Sequence, residues 1–191
     1  MSFFQMTDEN EYIKWYVLFC ANGKAVKFCD YLKIADIEYF SPMFYHKRRI
    51  RNSERTKCIL QPIFRNLLFV KSTKSNLDPV LREIKLKFGI TSDLYYRYRD
   101  GEENKIVVVP ADQMRNFMAI AGAVEEPIIY LSNEAVRLKS GTKIRIIGGA
   151  FEGVEGIFMR IQGHKRVVVI LPNLLSVATT FVPSEFILPL E

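Results

Sequence analysis

Trp15-Tyr16-Val17-Leu18-Phe19-Cys20 is the stretch of sequence that decides the fold, because six consecutive apolar residues rich in β-formers are typical of a buried strand. The turn residues Asn22 and Gly23 follow this run. Apolar side chains then recur at the spacing of one helix face, at Ala25, Phe28, Cys29, Leu32 and Ala35. The sequence therefore predicts a buried strand followed by an amphipathic helix.

Further strands and helices follow in turn. Strands are predicted at 37–44, 55–61 and 64–71. A helix is predicted to begin at Asp78-Pro79, a hairpin to turn at Asp100-Gly101, and another helix to run from Pro110 to Gly122. Strands joined by hairpins, with helices between them, favour an α+β sandwich with a mostly antiparallel sheet.

From residue 140 onward the pattern changes to short β-rich runs separated by glycines, which is typical of a small β-barrel. The spaced residues are Gly141, Ile144, Gly149, Phe151, Gly153 and Gly156. Glycine permits sharp turns and close backbone approach, and we expect Phe151 to fill one end of the barrel. The predicted organisation is a flexible tail (1–14), a first domain (15–123), a linker (124–139) and a second domain (140–191).

The composition narrows the class of protein. The chain has 191 residues with 27 basic and 21 acidic side chains, a formal charge of +6. No run approaches the roughly 18 apolar residues of a membrane span, and the acidic start does not resemble a secretory signal. Three cysteines, in apolar surroundings and without paired spacing, indicate buried thiols in a reducing cytoplasm.

The positive charge is concentrated in one segment. Six basic residues and one acid, Glu54, lie between Lys47 and Lys57. Such a segment is either an arm that contacts phosphates or a solvated loop tip. The flanking strands place it at the tip of a long hairpin.

These motifs resemble the NusG family of transcription elongation factors. The glycine pattern resembles the family's KOW motif, although a generic SH3-like barrel remains the alternative. The Trp15-Tyr16 start and the stretch Pro62-Ile63-Phe64-Arg65-Asn66-Leu67-Leu68-Phe69-Val70 resemble its N-terminal domain. Together the motifs cover residues 15–191, and the details are similar to specialised members such as RfaH and the factors of capsule operons.

The resemblance implies a ferredoxin-like N-terminal domain and a separate SH3-like KOW domain. In this family the first domain docks on the clamp helices of the largest RNA polymerase subunit, bridges the DNA cleft and suppresses pausing or termination. The positions that match the docking surface are Phe19, Phe64, Leu67 and Phe69, although the same side chains could be core. Here Arg65-Asn66 stands where the family usually has Pro-Gly or Pro-Asn, and Leu67 replaces the usual Tyr.

The resemblance also places the basic hairpin tip near DNA at the transcription bubble. The residues expected to contact phosphates are Lys47, Arg48, Arg49 and Arg51. The KOW domain would recruit a ribosomal protein or a termination factor. We expect no refolding of that domain into helices, because Val167 to Ile170 is β-branched and Pro172 and Pro183 break helices.

Other site classes find little support in the sequence. His46 and His164 are isolated and the cysteines lack metal-ligand spacing, so neither a metal nor another cofactor is expected. No nucleophile has a plausible His and acid partner, so we expect no enzyme. The main rival is a ribosome- or RNA-associated KOW protein. We expect a cytoplasmic monomer that does not bind membranes.

Overall fold

The computed structural model describes residues 12–21, 24–51, 54–88, 94–99, 102–123, 128–131, 141–171, 174–179 and 181–190. The chain divides into two compact units: Met1–Ser41 with Phe64–Pro110, and Pro42–Ile63 with Ala111–Glu191. The predicted domain limits stay a prediction. The predicted tail up to residue 11, the turn at 100–101 and linker residues 124–127 and 132–139 lie outside the described residues.

Helices separate runs of strands along the chain, as the sequence predicts. In order they are β1 (Lys14–Cys20), α1 (Ala25–Ile34), β2 (Glu38–Phe40), β3 (Met43–Arg49), β4 (Thr56–Pro62), β5 (Leu67–Ser72), α2 (Lys74–Phe88), β6 (Leu94–Tyr96), β7 (Tyr98–Arg99), β8 (Glu102–Ile106), β9 (Val108–Val109), α3 (Ala111–Ala121), β10 (Ile129–Leu131), β11 (Thr142–Ile146), β12 (Glu155–Ile161), β13 (His164–Leu171), β14 (Leu175–Ala178) and β15 (Ile187–Pro189).

The first unit is built on the apolar strand β1. Strand β1 pairs antiparallel with β5, β6 and β9, and β2 pairs with the other side of β5. One face of this sheet carries Tyr16, Leu18 and Cys20, which pack in a core with Phe28 and Leu32 of α1. The buried strand and the amphipathic helix predicted from the sequence are therefore confirmed, as is a mixed α/β fold with antiparallel sheets.

Helix α2 begins five residues earlier than predicted. The hydroxyl of Thr73 accepts a hydrogen bond from the Asn76 amide at 3.2 Å, so Thr73 caps the helix. Asp78 and Pro79 consequently lie inside the helix rather than at its start. The carboxylate of Asp78 instead accepts a hydrogen bond of 2.6 Å from the Tyr96 hydroxyl, which joins α2 to the sheet.

The second unit contains a hairpin, a helix and the C-terminal sheet. Strands β3 and β4 pair only with each other, among the described residues. Strands β10 to β15 form a separate antiparallel sheet in the order β10-β14-β13-β12-β11-β15. Helix α3 packs against β13 and β14, and its Asn116 side chain accepts a hydrogen bond from the Glu155 amide at 3.2 Å.

Strand β10 comes from the segment predicted to be a linker. It pairs with β14 along the edge of the C-terminal sheet, with Ile129 opposite Ala178 and Leu131 opposite Ser176. The side chains of Ile129 and Leu131 pack against the buried Val168 and its neighbours. Part of the predicted linker is therefore a strand of the sheet. Among the described residues, no helix is both long enough and apolar enough to cross a bilayer.

Candidate functional site

A short row of apolar side chains crosses the first sheet at the end of β1. In the antiparallel register, Phe19 lies directly opposite Leu67 of β5 and directly opposite Tyr95 of β6. Directly opposed residues share a face of the sheet, so the three side chains stand side by side. This face is the one opposite the core of Tyr16, Leu18 and Cys20. We call Leu67, Phe19 and Tyr95 the apolar row.

The apolar row is partly open to solvent. Phe19 and Leu67 are half-buried and Tyr95 is 40% exposed. The rings of Phe19 and Tyr95 stack, with centroids 5.1 Å apart and planes inclined by 29°. The next pair on the same face, Val17 and Phe69, is fully buried. The row therefore marks the edge of a covered apolar face.

The predicted docking residue Phe69 is a core residue. Its exposed fraction is 0%, and its ring packs against that of Phe40 with centroids 6.4 Å apart. A side chain without exposed surface cannot contact a partner unless the fold opens, so the placement of Phe69 on the surface was wrong. The family pattern grouped Phe69 with Phe19 and Leu67, whose face of the sheet it shares, but could not show that this part of the face is covered.

Tyr95 was missed as a site residue. Its alternation with the buried Tyr96 shows that the two rings face opposite sides of the sheet. The sequence carries no signal that β6 pairs with β1 and brings Tyr95 onto Phe19. In the apolar row, Tyr95 supplies a ring on the opposite side of Phe19 from Leu67.

The turn before β5 fixes the position of Leu67. The carbonyl of Asn66 accepts a hydrogen bond from the Cys20 amide at 2.8 Å, and the carbonyl of Arg65 accepts one from the Ala25 amide at 3.4 Å. The turn is thereby tied to the end of β1 and the start of α1. Phe64, which precedes it, is half-buried, and the exposed Arg65 adds positive charge beside the apolar row.

The basic segment belongs to an exposed hairpin, but its cations lie along β3 and β4 as well as near the predicted tip. Every residue from 44 to 51 is exposed. Arg48 is paired with Lys57, so these two cations share one face of the hairpin. Lys47 and Arg49 point to the other face, and Arg51 follows the end of β3 near the tip. Cations thus project from both faces of a narrow ribbon.

The turn between β11 and β12 uses glycines as the sequence predicts. Gly149 and Gly153 have φ angles of +82° and +86°, a region that side chains with a Cβ rarely adopt. Between them, Phe151 is only 7% exposed. The turn therefore closes over a buried phenyl ring.

Two further glycines allow neighbouring backbones to approach. A Cβ on Gly156 would lie 2.7 Å from the carbonyl oxygen of Val168, and one on Gly141 would lie 2.8 Å from that of Phe158. Gly156 is paired with Ile144, which is 1% exposed. The six residues of the spaced glycine motif thus build one hairpin of the C-terminal sheet.

The cysteines and histidines make no metal site in the described part of the chain, where no three His, Cys, Asp or Glu side chains are clustered. Burial, with a smaller effect of Cys29, raises the pKa of the Cys20 thiol to about 12. Cys58 is exposed on the hairpin, so the expectation that all three thiols are buried was wrong. His46 and His164 are exposed.

Comparison with known families identifies a matching family model. A family model described as "NusG: Transcription termination factor nusG" matches residues 13–118, more than half of the chain. The matched segment includes the apolar row, the hairpin and most of α3, and it ends before the C-terminal sheet.

Proposed function

The chain belongs to the NusG family of transcription factors, and from that premise we propose that it binds the clamp helices of the largest RNA polymerase subunit through its apolar row. By bridging the DNA cleft it would suppress pausing or termination. It would act as a monomer in the cytoplasm, by binding rather than by catalysis. The motif details noted in the sequence support a specialised member that serves particular operons.

The observation that carries this proposal is the half-exposed stack of Phe19 on Tyr95 beside Leu67. Aromatic side chains that are partly packed in the free protein lose little conformational freedom on binding, and such anchors dominate interface energies. An aromatic and aliphatic row of this width suits the apolar side chains at the tip of a helical pair. Arg65 at its margin can attract acidic groups on the same partner.

The basic hairpin would contact DNA near the transcription bubble. Lys47, Arg48, Arg49 and Arg51 are all exposed, and Glu54 is the only acidic residue between 43 and 62. Cations on both faces of a ribbon can meet phosphates from either side. Such contacts give affinity without sequence readout.

The C-terminal sheet would serve as the KOW domain and recruit a second factor, either a ribosomal protein or a termination factor. Its glycine turn over Phe151 and its antiparallel strand order support an SH3-like barrel. The exposed cations of the hairpin also fit the rival function, a ribosome- or RNA-associated KOW protein. That rival has no use for an exposed apolar row, so the row distinguishes the two functions.

The docking experiment compares two tyrosines of equal exposure. Tyr95 and Tyr98 are both 40% exposed, but only Tyr95 belongs to the apolar row. We expect Phe19→Ala with Tyr95→Ala to weaken binding to purified RNA polymerase about thirtyfold, because anchors of this kind contribute about 2 kcal/mol or more. Tyr98→Ala should bind like the wild type. Equal affinity of all three proteins, with unchanged circular dichroism, would refute the docking proposal.

The hairpin experiment measures the salt dependence of binding to DNA-containing elongation complexes. Replacing Lys47, Arg48, Arg49 and Arg51 by Ser should reduce the slope of log K against log salt by about 0.9 for each phosphate that the variant no longer neutralises. The control replaces the same number of cations elsewhere, at Lys27, Lys33, Arg82 and Lys165, and so has the same net charge. Equal slopes for both variants would show that the hairpin makes no specific phosphate contact.

A further inference from the structure

The hairpin carries exposed aromatic rings beside its cations, and we propose that it binds single-stranded nucleic acid, with a base stacked on Tyr45 and the adjoining phosphates on Lys47 and Arg49. This inference rests on the proposed function, since it specifies which form of nucleic acid the basic hairpin contacts.

Strand alternation places the three side chains on one face of the hairpin. Tyr45, Lys47 and Arg49 are two residues apart along β3, so each is about 7 Å from the next. Successive nucleotides of an open strand could therefore meet first an aromatic ring and then two cations. Proteins that bind single strands combine these two elements, a basic track for the backbone and aromatic platforms for the bases.

Exposed apolar side chains adjoin the ring of Tyr45. Tyr45 is 57% exposed and lies opposite Leu60, which is 46% exposed. Next along the hairpin, Lys47 lies opposite Cys58, whose side chain is small and exposed. A base on the Tyr45 ring would cover apolar surface that the free protein leaves in water, while its phosphate stays next to the ammonium group of Lys47.

The other face of the hairpin is less suited to stacking. There the ring of Phe44 is 37% exposed and already meets the imidazole of His46 edge to face, with centroids 6.1 Å apart. Arg48 and Lys57 follow on that face and add charge without a second open ring. The difference in exposure selects the face of Tyr45.

The exposed ring of Tyr45 favours single-stranded nucleic acid over duplex. In a duplex the flat faces of the bases are stacked on one another, so a protein side chain reaches only phosphates and groove edges. Cations alone suffice for those contacts. The exposed ring of Tyr45 gains contact surface only from a base that has left the stack.

The first test measures fluorescence anisotropy of labelled oligo(dT) and of a duplex of the same length with the full chain at one salt concentration. Tyr45→Ala should weaken oligo(dT) binding about tenfold, within the range of about fivefold to a hundredfold for removal of one stacking platform. Duplex binding should change less than about twofold. The matched control is Tyr12→Ala, because Tyr12 is 54% exposed but lies outside the hairpin. An equal effect on both DNA forms, or no effect on either, would overturn the inference.

A second variant gives a direct signal for stacking. In Tyr45→Trp the new indole is exposed, whereas the native Trp15 is 5% exposed and serves as a constant background. Oligo(dT) should quench the new fluorescence and bind at least as tightly as to the wild type. Unquenched fluorescence at saturating oligo(dT) would also overturn the inference.

The two proposals fail separately. If the four-serine variant of the hairpin flattens the salt dependence but Tyr45→Ala binds oligo(dT) normally, the phosphate contact stands and the stacking inference is wrong. If the salt dependence is unchanged while Tyr45→Ala selectively loses oligo(dT) binding, the stacking on Tyr45 stands, and the phosphate contacts are wrong in both proposals.

Discussion

Strands β1 and β3 have the same length but opposite environments. Each has seven residues. Five residues of β1 are buried, and the strand pairs with three others. No residue of β3 is buried, and its only pairing within the described chain is with β4. The first strand owes its position to burial and the second to its partner strand, so the two can be disturbed independently.

The composition of the two strands explains the contrast. The uninterrupted apolar run of β1 suits a strand with both faces covered. Strand β3 passes from two aromatic residues to a run of basic ones and has no continuous apolar face. Substitutions in β1 should therefore change stability, and substitutions in the hairpin should change binding.

The largest effect is expected from truncating a leucine in each region. Leu18 of β1 is fully buried, whereas Leu60 of β4 is 46% exposed. Leu18→Ala should lower the free energy of unfolding by about 2–5 kcal/mol, because it removes buried surface and leaves a cavity. Leu60→Ala should lower it by less than about 0.5 kcal/mol. Urea denaturation measures both, and similar losses would contradict the division of roles.

A smaller effect is expected at the tyrosines. Tyr96 donates a hydrogen bond to the Asp78 carboxylate, so Tyr96→Phe should cost about 1–2 kcal/mol of stability. Tyr45→Phe removes the same hydroxyl from an exposed ring and should leave stability unchanged within about 0.5 kcal/mol. Thermal or urea unfolding at neutral pH compares the two, and an unaffected Tyr96→Phe would show that the bond contributes nothing.

The same tyrosine predicts a difference at alkaline pH. Burial, and next the hydrogen bond to Asp78, raise the pKa of Tyr96 above its ordinary value. The folded state therefore favours the neutral phenol. The stability that this preference contributes is fully present below about pH 10, where the tyrosine of the unfolded state is also neutral. As the pH rises further, the unfolded state ionises first and stability falls. Tyr96→Phe should therefore lose less stability between about pH 9 and 11 than the wild type, and an identical pH profile would contradict this.

The smallest perturbation is the labelling of thiols. Cys58 of the hairpin is exposed, whereas Cys20 of β1 is buried and its pKa is raised to about 12 by burial. Because thiolate is the reactive form, a thiol reagent at about pH 8 should modify Cys58 at least about tenfold faster than Cys20. In Cys58→Ser the fast phase should be missing. A fast phase that persists in this variant would mean that Cys20 or the half-buried Cys29 reacts far faster than its burial predicts.

Patterns local in sequence predicted much of the fold. The apolar run of β1, the spacing of α1 and α3 and the glycine turn at Gly149 and Gly153 all agree with the structure. These features depend on propensity and periodicity, which neighbouring residues determine. The start of α2 was mistaken because Asp78-Pro79 has the form of a helix start, while Thr73 supplied the actual cap.

The candidate site was predicted only in part, because it depends on which strands meet. Phe19 and Leu67 were chosen from the family pattern, and the register brings them together. Phe69 has the same parity as Leu67, but only tertiary packing decides where a face becomes covered. Tyr95 joins the row through pairing between β1 and β6, which no local pattern in either strand specifies.

Strand β10 has a practical consequence for work with isolated fragments. A fragment that begins at residue 140 would lack it and leave the backbone amides and carbonyls of β14 unpaired along an open edge. Open edges of this kind recruit strands from other molecules and promote aggregation. A fragment that begins at residue 124 retains the protective strand, so the choice of starting residue decides whether a purified C-terminal piece stays in solution.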